Sequence, residues 1–332
     1  MRLIRKIERE TDSRLVVYIT GDRPGQETKI AGDIFPFCHQ HLQRAGRQES
    51  ISLLLYTRGG LTMAGFGIVN LFREFCNNFN VMIPFRAHSC GTLISLGANE
   101  ILMTKMGQLS PIDPSVDHPL GPQVQIPGAP PGVTQRVPIN VEDAVSFLKF
   151  AKEEAGLKQE DSLASVFGQL SSDVNPLALG AVNRSREQIG FLAKTLLSRH
   201  MNEEERINSI VKVLSRERFS HSYIIGRREA KESLKLPIAD ISSTMEELLL
   251  KLYSKYSDLL ELTVPYNPEI YLGQQSTVTF DLNRGILESH GLTHVFRSRL
   301  RVSRVQVTRE GVQQTLHHSV KLFEAWVQDN TL

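Results

Sequence analysis

A chain of 332 residues is longer than one average domain, so a large domain with a smaller addition is the expected organisation. With 41% hydrophobic and 22% charged residues, the composition is that of an ordinary soluble protein and excludes the disordered and fibrous classes. Against 38 basic side chains stand 36 acidic ones, and a formal charge of +2 gives no global field that would single out nucleic acid or an anionic membrane as partner.

In chain order, Met1-Arg2-Leu3-Ile4-Arg5-Lys6 runs into polar Glu8-Arg9-Glu10 rather than a signal core, and no apolar run approaches the ~20 residues that span a bilayer. A cytoplasmic location is expected. Cys38, Cys76 and Cys90 lack metal-ligand spacing and fit a reducing compartment, and neither metal nor cofactor is implied. Leu15-Val16-Val17-Tyr18-Ile19 reads as a first core strand, with a helix near Ile30 to Gly46. Ile51 to Tyr56 is a continuous apolar run, as in a strand buried on both faces, and Thr57-Arg58-Gly59-Gly60 ends it. A glycine pair either brings bare N–H groups close to a ligand or simply turns the chain into the next helix, Leu61 to Cys76. Cys38 and Cys76 are expected in helices, as core fillers.

Val81 to Phe85 is another strand, and Ala87-His88-Ser89-Cys90-Gly91 carries it into an apolar helix. Ser89 is thereby expected at the carboxyl end of a sheet, where α/β folds place ligands and nucleophiles. A bare Ser-x-Gly more often only caps its helix. With Ile101-Leu102-Met103 the alternation continues, and an α/β fold with a mainly parallel sheet covered by helices follows.

From Asp113 to Ile139 the chain is too rich in Pro and Gly for a regular helix; this loop, 114–139, is a lid over a site or a passive hairpin excursion. Asn140 then caps a helix with Val141, Ala144, Val145, Leu148 and Ala155 at helical spacing, Lys149 at the edge of that stripe and Lys152 nearer its centre. Leu157 to Ser215 is mostly helical, including Asn183 to His200 and Asn202 to Ser215, and is expected to cover the sheet or build a subunit interface. Beyond Pro237 come a Leu- and Tyr-rich helix, Met245 to Leu260, and strand-like Thr277 to Phe280. Arg297, Arg299 and Arg301 fall on one face of a strand, read as a solvated or interface face rather than a phosphate grip.

The segments Tyr56 to Gly65, Ala87 to Thr92 and Gly107 to Pro114 together resemble the ClpP/crotonase fold. Within it they resemble the Ser-Lys peptidases related to signal peptide peptidase A, and most of all the serine dehydrogenase proteinase family, over residues 12 to 240. Arg58 and Cys90 stand where that family commonly has proline and a small residue. The resemblance implies a ClpP/crotonase-like peptidase domain over 1–239, built of ββα-type units, with a small α+β domain of unknown role over 240–332. It implies Ser89 as nucleophile, Gly59, Gly60 and Cys90 as oxyanion donors, and Lys149 as base, stripped of hydration by Phe and Leu neighbours and so able to take the serine proton. Lys152 is the fallback base, and Ser89, Asp113 and His221 form a rival set. The expected partners are a protein or peptide substrate and further copies of the chain, without membrane or nucleic acid. A crotonase-like enzyme acting on an acyl thioester and a catalytically silent scaffold are the competing classes.

Overall fold

The computed structural model describes residues 2–331 apart from 113, 114, 117, 127–129, 131, 138, 218–221, 310 and 311. They form two compact units, one made of Met1–Leu109 with Ile224–Leu332 and the other of Ser110–Tyr223.

The first unit is organised on an eight-stranded sheet. Its parallel part comprises β1 (Arg14–Thr20), β2 (Gln48–Tyr56), β3 (Cys76–Ile83), β4 (Glu100–Met103) and β5 (Ile238–Ala239), ordered β5-β4-β3-β2-β1. Six of the seven β1 residues are buried without alternation, because helices cover both faces. On one face lies α1 (Arg2–Thr11), an amphipathic helix that inserts Ile4 and Ile7 from a segment too charged to read as core. It packs with α2 (Ser243–Leu259), whose Met245, Leu249, Leu252 and Tyr256 repeat at helical spacing and meet Leu15, Val17 and Ile19. The other face carries α3 (Phe35–Ala45), α4 (Thr62–Phe75) and α5 (Cys90–Leu96). Cys38 is buried in α3 as expected, whereas Cys76 is the first residue of β3, because the chain passes from helix to strand at Phe75 without a loop.

The long strands β6 (Thr277–Ser289), β7 (Leu292–Arg309) and β8 (Val312–Gln328) continue this sheet antiparallel from β1, with Val17 opposite Glu288 and Thr20 opposite Gly285. These strands belong to the same compact unit as the parallel part of the sheet. The backbone edge of β1 needs a partner, and Ile286 and Val295 close the same apolar cluster that α1 and α2 fill. Arg297 and Arg299 do share a face of β7, but Asp329 and Asp281 neutralise them at 2.5 and 2.7 Å.

Between α3 and these strands lies a buried polar chain. His41 Nδ1 meets Ser289 Oγ at 2.7 Å, His41 Nε2 meets His294 Nδ1 at 3.0 Å, and the ring of Phe37 packs 4.9 Å from that of His294. Burial, helped by His294, pulls His41 down to about 3, and burial lowers His294 as well. Both folded-state values lie below the unfolded value of ~6.5, so the neutral rings favour the fold and acid removes that contribution. Stability is expected to fall as pH drops from ~6.5 toward the folded values, by up to ~1.4 kcal/mol per pH unit for each histidine. Thermal midpoints at several pH values check this, and a smaller acid slope is expected for His41→Gln.

The second unit is helical: Val141–Lys149, Glu160–Asp173, Pro176–Leu197 and Glu204–Lys212, with a π-helical turn at Phe150–Glu154. In place of a helix, the Pro/Gly-rich stretch forms two small antiparallel pairs, Ser115–Val116 with Ile139–Asn140 and Gln123–Gln125 with Thr134–Arg136. Large apolar side chains stand in solvent on these helices, with Phe150 61%, Phe191 68% and Leu177 69% exposed. Self-association through this unit is the expected outcome in sedimentation, and Phe191→Ser should shift the distribution toward the monomer. No described helix of the chain is long and apolar enough to cross a membrane.

Candidate active site

In the first unit, the carboxyl ends of β1, β2 and β3 open onto two loops that are stitched together. After β2, Thr57 donates its N–H to the carbonyl of Arg86 (2.9 Å) and its own carbonyl accepts from His88 N–H (3.1 Å). The loop after β2 and the short strand Arg86–Ala87 thus run side by side, and Ser89 follows at once.

Ser89 has φ 50° and ψ −111°, outside the regions that L-residues ordinarily occupy. This sharp corner between strand and helix is held by Gly91 N–H donating to the His88 carbonyl (2.8 Å) and by Thr92 Oγ1 donating to the Ala87 carbonyl (2.8 Å). Strain of that kind, roughly 1–3 kcal/mol, persists only where the surroundings enforce it, and it clusters at functional positions. Gly91 is required there, since a Cβ would lie 2.6 Å from Thr57 Cγ2.

The glycine pair faces this corner. Gly59 adopts φ 125°, and a Cβ on it would sit 2.9 Å from Ser89 Cβ and 3.3 Å from Ser89 Oγ, so its bare Cα lets the two loops touch. Ile30 pins the turn, its N–H donating to the Gly59 carbonyl (2.9 Å) and its carbonyl accepting from Leu61 N–H (2.8 Å). Buried Thr20 donates to Thr57 Oγ1 (2.7 Å), which accepts the Gly59 N–H (2.9 Å). Gly59 is therefore engaged in holding the turn. The N–H groups of Gly60 and Cys90 take no hydrogen bond among the described residues. The Cys90 thiol points inward, donates to the Leu61 carbonyl (3.3 Å) and is pushed up to about 12 by burial, which leaves it no nucleophilic part beside the half-buried Ser89 hydroxyl.

Three residues here escape sequence reasoning: Asp22, Thr20 and Thr57. Asp22, almost fully buried in the loop after β1, accepts from Tyr56 (2.8 Å) and Arg86 (2.6 Å), and Arg58 lies 3.4 Å away. The only signal in sequence is an acid just beyond a strand that shares the carboxyl edge with Ser89.

Lys149 ends its helix in the second unit and is exposed, as are its neighbours Phe147 and Phe150; Lys152 is exposed as well. Among the described residues no apolar enclosure surrounds Lys149. Asp113 and His221 lie outside the described residues. Among the described residues no group of His, Cys, Asp and Glu could hold a metal.

The first unit is thus a mixed α/β sheet in which a glycine turn lies against a serine corner. Residues 1–129 match the family described as ClpP-like SDH-type serine proteinases. Among curated proteins the chain is similar to two uncharacterized proteins of Methanocaldococcus jannaschii. One is 25% identical over 191 residues, covering 58% of this chain and 54% of the relative. The other is 33% identical over 124 residues, covering 35% and 42%. The chain thus spans about half the length of the curated relatives it matches. A solved membrane-bound stomatin-specific protease, in a mutant form, aligns with 70% of this chain and 83% of its own at 14% identity and a TM-score of 0.38.

Proposed function

We propose that the protein is a serine peptidase in which Ser89 is the nucleophile, Lys149 the general base, and the N–H groups of Gly60 and Cys90 the oxyanion donors, with Gly59 shaping the turn between them. Ser89 Oγ attacks the peptide carbonyl carbon while the Lys149 amine takes its proton. The proton passes to the departing amine, and water then releases the acyl group by the same route in reverse. The observation that carries this reading is the contact between Ser89, at its left-handed corner, and the Cα of Gly59, which puts a serine hydroxyl and unengaged backbone donors at one place. Because Lys149 is exposed, bound substrate or a neighbouring copy has to strip its hydration. The substrate is a protein or peptide, and the working form is a homo-oligomer in the cytoplasm.

A fluorophosphonate probe tests the nucleophile. Labelling of the wild-type protein at Ser89, and none in Ser89→Ala, is the expected result; undiminished labelling of Ser89→Ala would remove the assignment.

A further inference from the structure

Two guanidinium groups, carried by the segments that flank the Ser89 corner, converge on a single carboxylate. Asp22, its side chain 5% exposed, accepts from Arg86 Nη1 at 2.6 Å, and Arg58 Nε approaches the same Oδ2 at 3.4 Å. Its other oxygen is occupied by the Tyr56 hydroxyl (2.8 Å). One negative charge thus answers two positive ones. The excess lies outward, since the Arg58 side chain is 59% and that of Arg86 28% exposed.

The remaining donors are arranged for an anion. Neither Nη group of Arg58 has a partner among the described residues, and the Arg86 guanidinium lies over the ring of Phe85, 4.3 Å from its centroid. Nearby Arg23 is different: Glu261, the Tyr271 hydroxyl and the Val264 carbonyl engage its Nε and Nη1, and its side chain is only 7% exposed, so it balances charge within the fold. Arg58 immediately precedes Gly59, which touches Ser89, and the carbonyl of Arg86 is bonded to Thr57 N–H, so both arginines are set by the loops that form the catalytic corner.

We infer that Arg58 and Arg86, braced by Asp22, form a carboxylate-binding subsite that gives the site a preference for acidic peptides. The guanidinium fork matches a carboxylate, and Asp22 fixes both groups before the ligand arrives, which lowers the ordering cost of binding. The inference rests on the peptidase reading. The carboxylate comes from an acidic side chain or from the C-terminus of the substrate.

Binding is measured on Ser89→Ala protein, which keeps both arginines and does not depend on turnover. Fluorescent peptides of one sequence carry Glu or Gln at each position in turn, and each is made with a free or an amidated C-terminus. At one position Glu is expected to bind roughly tenfold tighter than Gln, as for one charge-assisted contact. If the C-terminus is the source, the acid-to-amide ratio carries that factor instead. The ratio should shrink with salt and approach one when Arg58→Gln is added, and Arg58→Lys should keep part of it, having the charge but not the fork. Binding with equal affinity for all members of the series, or a ratio unchanged by Arg58→Gln, overturns the subsite. Fluorophosphonate labelling of wild-type protein separately reports whether Ser89 is a nucleophile, so failure of the peptidase reading shows there and failure of the subsite in the ratios.

Discussion

Acylation by a small activated ester, followed in a single turnover, is expected to fall on the order of 10⁶-fold in Ser89→Ala and about 10⁴-fold in Lys149→Ala. The first loss removes the attacking atom. The second leaves a hydroxyl with nowhere to send its proton, and Lys149→Arg is expected not to restore the rate, because guanidinium stays protonated at working pH. The same assay separates the competing bases. Loss confined to Lys152→Ala would place the base one helical turn further on, nearer the centre of the apolar stripe. Loss confined to His221→Ala, with a rate that declines on acidification through ~6.5, would give the role to the Ser89, Asp113, His221 set.

The glycine pair should show smaller effects, through two different failures. In Gly60→Ala the new Cβ would overlap the backbone of Ile30, which cannot yield without breaking the pair of hydrogen bonds that closes the turn. A cost of roughly 3 kcal/mol or more is expected, read as a lower midpoint in denaturant. In Gly59→Ala the Cβ would press on Ser89 itself at 2.9 Å. Here the serine is displaced relative to the donors, and a loss of about 100-fold in acylation is expected with a smaller change in stability. Equal rates in wild type and Gly59→Ala would show that the two loops do not act together.

Much of this arrangement was legible in the chain. The doubly apolar runs of β1 and β2 announce strands buried on both faces, and the serine after Ala87-His88 falls at a strand-to-helix corner as read. What local pattern cannot reveal is which distant segment completes an edge. β6 lies against β1 although nothing in Thr277 to Ser289 names its partner, and α1 reads as a charged polar segment until Ile4 and Ile7 meet α2. Asp22 was illegible for a related reason. Its role depends on Arg58 and Arg86, brought to it by two different loops, and on burial that composition around a turn does not report. The exposure of Lys149 likewise escapes periodicity, since a stripe of Val145 and Leu148 says which face is apolar and not how far the edge residue is covered.

That β1 lies between β2 and β6 has a consequence for biosynthesis. The segment that carries Ser89 and the glycine pair leaves the ribosome early, whereas the strand that seals the flank of β1, and the helix α2 that seals its face, are made only after the whole of Ser110–Tyr223 has emerged. Until then the nascent sheet has an open edge and a half-empty core, and the corner at Ser89 has no rigid floor. The corner at Ser89 is therefore expected to gain its full support only once Thr277–Ser289 and α2 have joined the sheet.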